Sequence, residues 1–380
     1  MATSYSPKII TDGLVFMYDT DDGKSFKGEP TTNLITNSGT SNTGWVGHGW
    51  TGSQAISNDY SNTYEFTATN GWHNRTFDTG VTSGGTIYVS FEYKLKQQQT
   101  TQNQLFVLNG TSLGSYTNWL GSGSMSFEWQ TFSGSFTANA NSSKIAKGPR
   151  GADSSGLTDI VYIRNLQVEQ KPHATPFVNG TRSATQGLLD RTGSSTINIS
   201  NASFDSNAQM TFDGTDDYLA VPHDSSQSFT GDFSIEAVIK GESNTANCII
   251  QKGSGNDYYQ EYWLLQDMRS SQGRFTLVMG KSGNSSANYL NTSNALSQNI
   301  YYHVVATVSG STSKIFINGV EAESGSISNR IQSTSDLRIG WRVDGFAATN
   351  GEIPIVKLYN KALTEAEVFQ NYNATKSRFQ

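Results

Sequence analysis

The chain has 380 residues, enough for one large domain or for two domains with cores of their own. Only 15% of the residues are charged, against about 25% in an average globular protein, and the formal net charge is −6. Ser, Thr, Asn and Gly replace the missing charges, as expected for β-rich proteins that stay soluble through neutral polar groups. Lys and Arg are scattered, which argues against nucleic acid as a partner, because phosphate binding needs clustered basic residues.

Cys248 is the only cysteine, so an intrachain disulfide is excluded. It lies between Asn247 and the apolar pair Ile249-Ile250, and we expect a small buried residue within a strand. Residues 1–11 lack the charged start and apolar centre of a signal peptide, and no apolar run approaches the roughly 20 residues that span a bilayer. The sequence therefore predicts a protein that is made in a cytoplasm and does not insert into a membrane.

Two-residue alternation of apolar side chains is common along the chain, whereas helical periodicity is nearly absent. Three segments place these residues on one face: Ile87, Val89, Phe91, Tyr93 and Leu95; Phe233, Ile235, Ala237 and Ile239; Leu337, Ile339 and Trp341. Such strands bury one face and expose the other, so Ser234, Glu236 and Lys240 are expected to face water. Asn318-Gly319, between two apolar segments, predicts a type I′ hairpin turn, which needs positive φ at both positions.

One helix is predicted, over residues 364–374. Thr364 can cap its start, and Glu367, three residues on, can return a bond to the Thr364 amide as a capping box. We expect the helix to pack Val368, Phe369 and Tyr372 against a sheet.

Five segments of the second half of the chain carry a family resemblance. They are FDGTDDY at 212–218, FTGDFSIEA at 229–237, HVVATV at 303–308, KIFINGV at 314–320 and LYNKALTEAEV at 358–368. In this order they resemble the concanavalin-A-like lectin sandwiches of the laminin-G type. The last segment is similar to the versions found in bacteriophage virion proteins. The resemblance implies a lectin-like sandwich and a place on a virus particle.

The opening segment, residues 11–26, resembles the first strand of the same phage-type sandwich. In such proteins a segment like GLLDRTG at 187–193 normally follows, but here roughly 155 residues intervene. The ends of the intervening segment are similar to jelly-roll carbohydrate-binding modules, whose first and last strands are neighbours, as an insertion requires. We therefore predict three parts: residues 1–30 as the first strand of a discontinuous lectin-like domain, 31–183 as an inserted carbohydrate-binding-module-like β-sandwich, and 184–380 as the rest of the lectin-like domain.

The predicted fold class is thus all-β, with two antiparallel jelly-roll β-sandwiches and one short C-terminal helix. A tandem arrangement, in which residues 1–30 are only a lead-in, is the alternative to the insertion.

No catalytic arrangement is visible in the sequence. Glucanases of the concanavalin-A-like class carry acids spaced Glu-x-Asp-x-x-Glu, which aims two carboxylates into one cleft, and this spacing does not occur. Glu365 and Glu367 are explained by the start of the helix. The five histidines lack metal-ligand spacing, and His303 is expected to be a structural histidine with its hydrogen bonds satisfied. We predict a protein that is not an enzyme and requires no cofactor; a polysaccharide-degrading enzyme is an alternative.

Calcium is a candidate ligand, because lectin-like sandwiches often bind it at loop tips through carboxylates and carbonyls. Two acidic clusters qualify, Asp19 with Asp21 and Asp22, and Asp213 with Asp216 and Asp217. Asp-Gly and Asp-Asp pairs are also ordinary turn chemistry, which is the alternative for both clusters.

Candidate glycan-binding residues are aromatic side chains among hydrogen-bonding groups, because sugar sites set aromatic faces against pyranose CH groups. The candidates are Trp45, Trp50, Trp72 and Trp119 in the inserted segment, and Asp257, Tyr258, Tyr259, Tyr262, Trp263 and Trp341 in the lectin-like domain, the last within the segment WRVD at 341–344. Trp129 is more strand-like and is expected in the core. The alternative for every tryptophan is a place in the core, and Trp341 alternates with Leu337 and Ile339.

Taken together, these features predict a surface protein of a bacteriophage virion, either a capsid decoration or a tail or baseplate appendage. It would adhere to host-surface polysaccharide, stabilise the particle, or both. Other virion proteins of capsid or tail are the expected partners, and a homo-oligomer is expected in the particle. Heptads, short β repeats and collagen-like runs are absent from the sequence, which disfavours a fibre shaft. A host-receptor-binding tail fibre or tailspike and a lectin of cellular origin are the remaining alternatives.

Overall fold

The computed structural model describes residues 8–35, 37–43, 45–49, 52–69, 73–82, 84–99, 104–105, 108–110, 125–138, 144–147, 149–150, 158–269, 273–283, 286–293 and 295–379. This part of the chain is all-β apart from one α-helix near the C-terminus and three short 3-10 turns, as predicted. Neither the α-helix nor the 3-10 turns of these residues have the length and apolar character that a membrane-spanning helix needs.

The strands are, in chain order, β1 (Leu14–Asp19), β2 (Thr31–Thr32), β3 (Trp45–Gly49), β4 (Gly52–Ile56), β5 (Thr63–Thr69), β6 (His73–Asp78), β7 (Thr86–Gln97), β8 (Gln104–Leu105), β9 (Leu108–Gly110), β10 (Gln130–Thr137), β11 (Lys144–Lys147), β12 (Pro149–Arg150), β13 (Thr158–Glu169), β14 (Thr181–Arg182), β15 (Ser203–Phe204), β16 (Met210–Asp213), β17 (Leu219–Val221), β18 (Phe233–Gly241), β19 (Ala246–Gly253), β20 (Gln260–Asp267), β21 (Arg274–Gly280), β22 (Ala287–Asn291), β23 (Tyr301–Ser309), β24 (Thr312–Ile317), β25 (Val320–Ser326), β26 (Leu337–Gly340) and β27 (Asn350–Tyr359). The α-helix is α1 (Glu365–Thr375), and the 3-10 turns are Ser225–Gln227, Asp257–Tyr259 and Lys376–Arg378.

The chain divides into two compact units. Unit 1 comprises Met1–Pro30, Ser183–Asp205 and Gln209–Gln380, and unit 2 comprises Thr31–Arg182 and Ser206–Ala208. Strand β1 pairs with β27 in unit 1, and β2 pairs with β14 in unit 2. The first strand of the chain therefore belongs to the same sheet as the last.

Unit 1 is built from two antiparallel sheets. The larger has eight strands in the order β15-β16-β27-β18-β23-β24-β25, with β1 also paired to β27, and the smaller has six in the order β17-β26-β19-β20-β21-β22. Buried side chains from both sheets, such as Ile235 of β18 and Leu264 of β20, form one apolar cluster. The two sheets therefore pack face to face as a sandwich.

The hairpin between β24 and β25 has the predicted turn. Asn318 and Gly319 have φ angles of 51° and 83°, and Ile317 lies opposite Val320. Positive φ at both central positions is the type I′ geometry, so the Asn-Gly prediction is confirmed.

The C-terminal helix begins and is capped as predicted. The Thr364 side chain accepts a hydrogen bond from the Glu367 amide, and the Glu367 side chain accepts one from the Thr364 amide, which completes the capping box. Val368 is fully buried, but Phe369 is 52% exposed. Phe369 packs against the sheet only at its edge, beside the hairpin turn at Gly319, because one residue along a helix turns the side chain to a different face.

The second face of β18 is buried, contrary to the expectation that Ser234 and Glu236 face water. The reason is α1, which covers this face and contributes Val368 to a small apolar cluster on it. The Glu236 carboxylate accepts hydrogen bonds from Lys357 Nζ at 2.6 Å, Asn371 Nδ2 at 2.6 Å and His303 Nε2 at 3.1 Å. Burial alone would raise the pKa of Glu236, but the Lys357 ammonium and His303 outweigh burial and lower the pKa to about 2.

Unit 2 contains a five-stranded antiparallel sheet in the order β10-β7-β13-β5-β4 and a four-stranded sheet in the order β3-β6-β11-β9. Its core cluster contains Ile87, Val89, Phe91 and Leu95 of β7, with Tyr93 packed against it at partial burial. The two-residue alternation predicted this face correctly.

The Glu236 network predicts a large loss of stability from a small chemical change. Glu236→Gln should lower the free energy of unfolding by about 3–5 kcal/mol, because it leaves the Lys357 ammonium buried without its counter-charge. The double variant with Lys357→Met should recover most of this loss. Urea denaturation measures both, with Glu321→Gln of the exposed Lys314 pair as a control that should change stability little. Equal losses in Glu236→Gln and the control would contradict the assignment.

Candidate functional site

The segment that the sequence singled out, Asp257 to Trp263, is divided between surface and core. Asp257–Tyr259 forms a 3-10 turn capped by Asn256, and Tyr258 and Tyr259 are exposed. Strand β20 follows, in which Tyr262 is fully buried in the main core and donates its hydroxyl to the Gln227 carbonyl at 3.0 Å. Tyr262 is therefore a core residue, and its prediction as a glycan contact is not supported.

Trp263 points to the opposite face of the six-stranded sheet, yet it is also buried, at 2% exposure. It forms a second apolar cluster with Cys248, Leu265, Val278 and Ala347. Cys248 is thus a buried thiol as expected, and burial raises its pKa to about 12. The Trp263 ring therefore lies beneath the surface of this face and is not exposed to solvent.

A polar surface lies directly above the Trp263 ring. Arg342 places its guanidinium 4.4 Å from the Trp263 ring and 4.8 Å from the Phe346 ring. It donates hydrogen bonds to Asp257 Oδ1 at 2.6 Å and to Asp344 Oδ2 at 2.7 Å. Because its side chain is only 4% exposed, this arginine is a fixed positive centre that holds two carboxylates at the surface.

Aromatic rings flank the carboxylates. Tyr289 is 51% exposed and donates its hydroxyl to Asp257 Oδ2 at 2.8 Å, while Phe346 is 54% exposed. Desolvation, and then the hydrogen bond to Asp257, raise the pKa of Tyr289 to about 12, so its hydroxyl stays protonated. Trp263 pairs with Val278 and Val278 with Tyr289 across three strands, which fixes their spacing.

We call this group of residues the outer-face cluster: Asp257, Tyr258, Tyr289, Arg342, Asp344 and Phe346. Asp257 and Tyr258 of it were predicted as site residues, and Arg342 and Asp344 lie in the candidate segment 341–344. Tyr289 and Phe346 were not predicted, although Tyr289 alternates with the core residue Leu290. No pattern in the sequence indicated that β22 and the loop after β26 meet at this turn.

Trp341 does not join the outer-face cluster. Its ring is half-buried and stacks on Tyr218, with ring centroids 5.3 Å apart and an interplanar angle of 23°. The Arg338 guanidinium lies 4.5 Å from the Tyr218 ring and 5.2 Å from the Trp341 ring. Trp341 therefore belongs to a separate stack of two rings and one cation.

Of the four tryptophans predicted as glycan contacts in the inserted segment, Trp45 is described and Trp50, Trp72 and Trp119 lie outside the described residues. Trp45 is 9% exposed, donates Nε1 to the Tyr64 hydroxyl at 3.2 Å and packs against Phe77 with ring centroids 5.3 Å apart. Trp45 is thus a core residue, because its ring belongs to the apolar cluster of unit 2.

Trp129 was expected in the core but lies outside the core cluster of unit 2 and is half-buried. The Arg164 guanidinium lies 3.8 Å from its ring centroid, Lys94 Nζ lies 5.1 Å away, and the Tyr60 ring meets it edge-on at 5.3 Å. Lys94 alternates with the core residue Leu95 on β7, and Arg164 with Ile163 on β13. The alternation therefore places these cations on the face opposite the core, together with Trp129.

The carboxylates of the first acidic cluster form ion pairs with arginines. Asp19 accepts two hydrogen bonds from Arg378, both 2.6 Å long, and Asp21 lies 3.1 Å from the same guanidinium. Asp22 pairs with Arg191 at 3.2 Å. Guanidinium groups take the place that a cation would need, so Asp19, Asp21 and Asp22 do not fit a calcium site.

The second acidic cluster is drawn together by the turn that leads from β16 in the larger sheet to β17 in the smaller one. Carboxylate oxygens of Asp213, Asp216 and Asp217 lie within 4.8 Å of one another. Asp217 is buried and accepts hydrogen bonds from the amides of Asp213 at 2.9 Å and Ser203 at 3.2 Å. Desolvation raises the pKa of Asp217, and Asp213 adds to the rise. Oxygen ligands of this kind suit calcium, which therefore stays a prediction for this cluster.

Three comparisons place the chain among known proteins. A family model described as the concanavalin A-like lectin/glucanases superfamily matches residues 213–369. Among solved structures, the chain is similar to the receptor binding domain of botulinum neurotoxin D, with 16% identity, a TM-score of 0.39 and 51% of each chain covered. It is also similar to the binding domain of Paraclostridial Mosquitocidal Protein 1, with 17% identity, a TM-score of 0.37 and 49% of each chain covered.

A Trypanosoma rangeli sialidase is similar as well, with 16% identity, a TM-score of 0.37, and 50% of this chain and 31% of the sialidase covered. The chain thus spans about half the length, or less, of these structures, and at such identities and TM-scores they carry no functional argument. No curated protein matches the chain. What the comparisons establish is a concanavalin A-like lectin/glucanase fold over residues 213–369.

The second acidic cluster yields a test for calcium. If Asp213, Asp216 and Asp217 hold the ion, millimolar CaCl2 should raise the melting temperature by about 2–5 °C relative to EGTA, because binding stabilises the folded state. Differential scanning calorimetry measures the shift. Asp216→Asn should abolish it, whereas Asp21→Asn in the first cluster should not. No shift in the unmodified chain would remove calcium from this turn.

Proposed function

We propose that this chain is a non-enzymatic carbohydrate-binding protein, displayed on the surface of a bacteriophage virion as a capsid decoration or as a tail or baseplate appendage. Its ligand would be a polysaccharide of the host surface, and adhesion would be combined with stabilisation of the particle. The observation that carries the carbohydrate half of the proposal is the outer-face cluster on a lectin-like fold.

The outer-face cluster has the two elements that sugar recognition needs. Tyr289 and Phe346 offer exposed rings to the CH faces of a pyranose, and Asp257 and Asp344 offer carboxylate oxygens to its hydroxyl groups. Arg342 pairs with both carboxylates and fixes their direction. A site whose polar groups are already held in place loses little conformational entropy when a ligand binds.

A single shallow site of this kind would bind weakly, and multiplicity would compensate. Copies of the chain in a homo-oligomer, or repeated on a particle, would convert later contacts with one polysaccharide into intramolecular events. Display on a virion, with other capsid or tail proteins as partners, supplies such repetition. Support for the phage setting comes from the resemblance of residues 358–368 to virion proteins.

Ring removal tests the outer-face cluster. Tyr289→Ala and Phe346→Ala should each weaken binding to a recognised glycan by about tenfold, since each removes one stacking face. Glycan-array binding followed by calorimetry on a responding glycan measures the change, with unchanged thermal unfolding as the check on folding. Val320→Ala, an apolar residue at 65% exposure outside the cluster, is the matched control. Unchanged binding in both ring variants would refute the cluster as the site. Trp263→Ala is unsuitable, because a buried ring is lost with it.

The enzyme alternative calls for a separate assay. Release of reducing ends from host capsular polysaccharide, with the intact chain, would support a depolymerase and contradict the non-enzymatic proposal. Binding without release of fragments would agree with adhesion.

The place of the chain on a particle can be seen directly. Cryo-electron microscopy of the virions that carry it should show its density on the outer surface. Density on the head lattice would make it a decoration protein, and density on the tail or baseplate would make it a host-recognition element. Its absence from purified virions would overturn the virion half of the proposal and leave carbohydrate binding to be judged on its own assay.

A further inference from the structure

A cleft of about 450 Å³ opens between the eight-stranded sheet and the end of α1. We call it the helix cleft. Its lining includes Tyr301 and His303 of β23, Asn318 of the hairpin turn, and Tyr372, Lys376 and Phe379 at the C-terminal end of the chain. Its volume lies within the range of roughly 300–1,000 Å³ that is typical of small-molecule sites. The cleft is separate from the outer-face cluster, which lies on the other sheet of the sandwich.

His303 gives the cleft an unused hydrogen-bond acceptor. Its Nε2 lies 3.1 Å from the Glu236 carboxylate, which can only accept, so Nε2 carries the hydrogen. The other ring nitrogen, Nδ1, is then the acceptor of a neutral ring. Nδ1 is buried and has no hydrogen-bond partner in the described part of the protein, although the side chain is only 3% exposed. An unpaired buried acceptor is costly, and a ligand hydroxyl would satisfy it.

Lys376 gives the cleft a positive charge that pairs with no carboxylate of the described residues. It follows the last residue of α1, where the helix dipole favours a cation. Its Nζ lies 5.5 Å from the Tyr372 ring, and no carboxylate of the described residues lies within ion-pair distance of it. A ligand carboxylate would therefore find an ammonium that is not already neutralised.

Rings and amides complete the walls of the cleft. The Tyr301 and Phe379 rings pack with centroids 5.1 Å apart, and the His303 and Tyr372 rings lie 5.7 Å apart. Asn318 uses its Oδ1 to accept the His303 amide at 3.0 Å, which leaves its NH2 group as a donor to the cleft. Apolar ring surface next to one acceptor, one donor and one cation matches a molecule with CH faces, hydroxyl groups and an acid.

We propose that the helix cleft binds a single acidic sugar residue of the hexuronic acid class. Its carboxylate pairs with Lys376, a ring hydroxyl donates to His303 Nδ1, and its CH face lies against the aromatic wall. The inference deepens the proposed function, on which it rests for the class of ligand, by naming the sugar class that a second site of unit 1 would select. The outer-face cluster and the helix cleft could then engage different residues of one acidic polysaccharide.

The test is a calorimetric titration of the full chain with glucuronate, glucose and inorganic phosphate. We expect saturable binding of glucuronate, at least tenfold weaker binding of glucose, and no comparable binding of phosphate. Lys376→Gln should weaken glucuronate binding about tenfold and leave glucose unaffected, because only the charge contact is removed. Lys281→Gln, which lies outside the cleft, should change neither. In the unmodified chain, the ring resonances of isotope-labelled His303 should shift on addition of glucuronate.

Each other outcome overturns the proposal. Equal affinity for phosphate would show a site for anions in general, equal affinity for glucose would show that the acid is not recognised, and an unaffected Lys376→Gln would place binding elsewhere. Failure of this proposal is distinct from failure of the proposed function. Polysaccharide binding in a chain that fails the glucuronate titration would refute this proposal alone, and glucuronate binding in a chain that fails every polysaccharide assay would refute the adhesion proposal alone.

Discussion

One buried carboxylate fixes the way α1 lies on the large sheet. Glu236 of β18 is reached by Lys357 of β27, His303 of β23 and Asn371 of α1, so a single side chain joins three neighbouring strands to the helix. A charge in such a place is tolerable only while its partners stay in position, since a missing partner leaves the others buried and unpaired. The position of α1 in turn sets one wall of the helix cleft, and the contact with Glu236 occupies Nε2 of His303 and leaves its Nδ1 without a partner among the described residues.

The outer-face cluster is also organised around one buried charge, but that charge is positive. There the buried ion is a cation, Arg342, which rests on the Trp263 ring and directs two carboxylates toward solvent. In both places the buried ion positions the groups around it. The partners of Glu236 are themselves buried, whereas the two carboxylates held by Arg342 are partly exposed.

Much of the fold was predictable, because local rules decide it. The alternation of Ile87, Val89 and Phe91, the turn at Asn318-Gly319 and the cap at Thr364 depend on neighbours within a few residues. The site was predictable only in part. Alternation shows which residues share a face but not what covers that face, so Glu236 and Trp263 appeared free to meet water or a ligand. The pairing of Asp19 with Arg378, which are 359 residues apart, leaves no trace in local sequence.

The pairing of β1 with β27 has a consequence for the order of events during synthesis. The Tyr18 hydroxyl donates to the Ile353 carbonyl, 335 residues further along the chain, so the eight-stranded sheet cannot be completed until almost all of that length has left the ribosome. Most of unit 2 is one continuous segment whose terminal strands β2 and β14 pair with each other, so it can close much earlier. By bringing its ends together, early folding of unit 2 would replace a long loop between β1 and the rest of unit 1 with a short one. The folded unit 2 would then hold β1 close to the part of unit 1 that is still being synthesised.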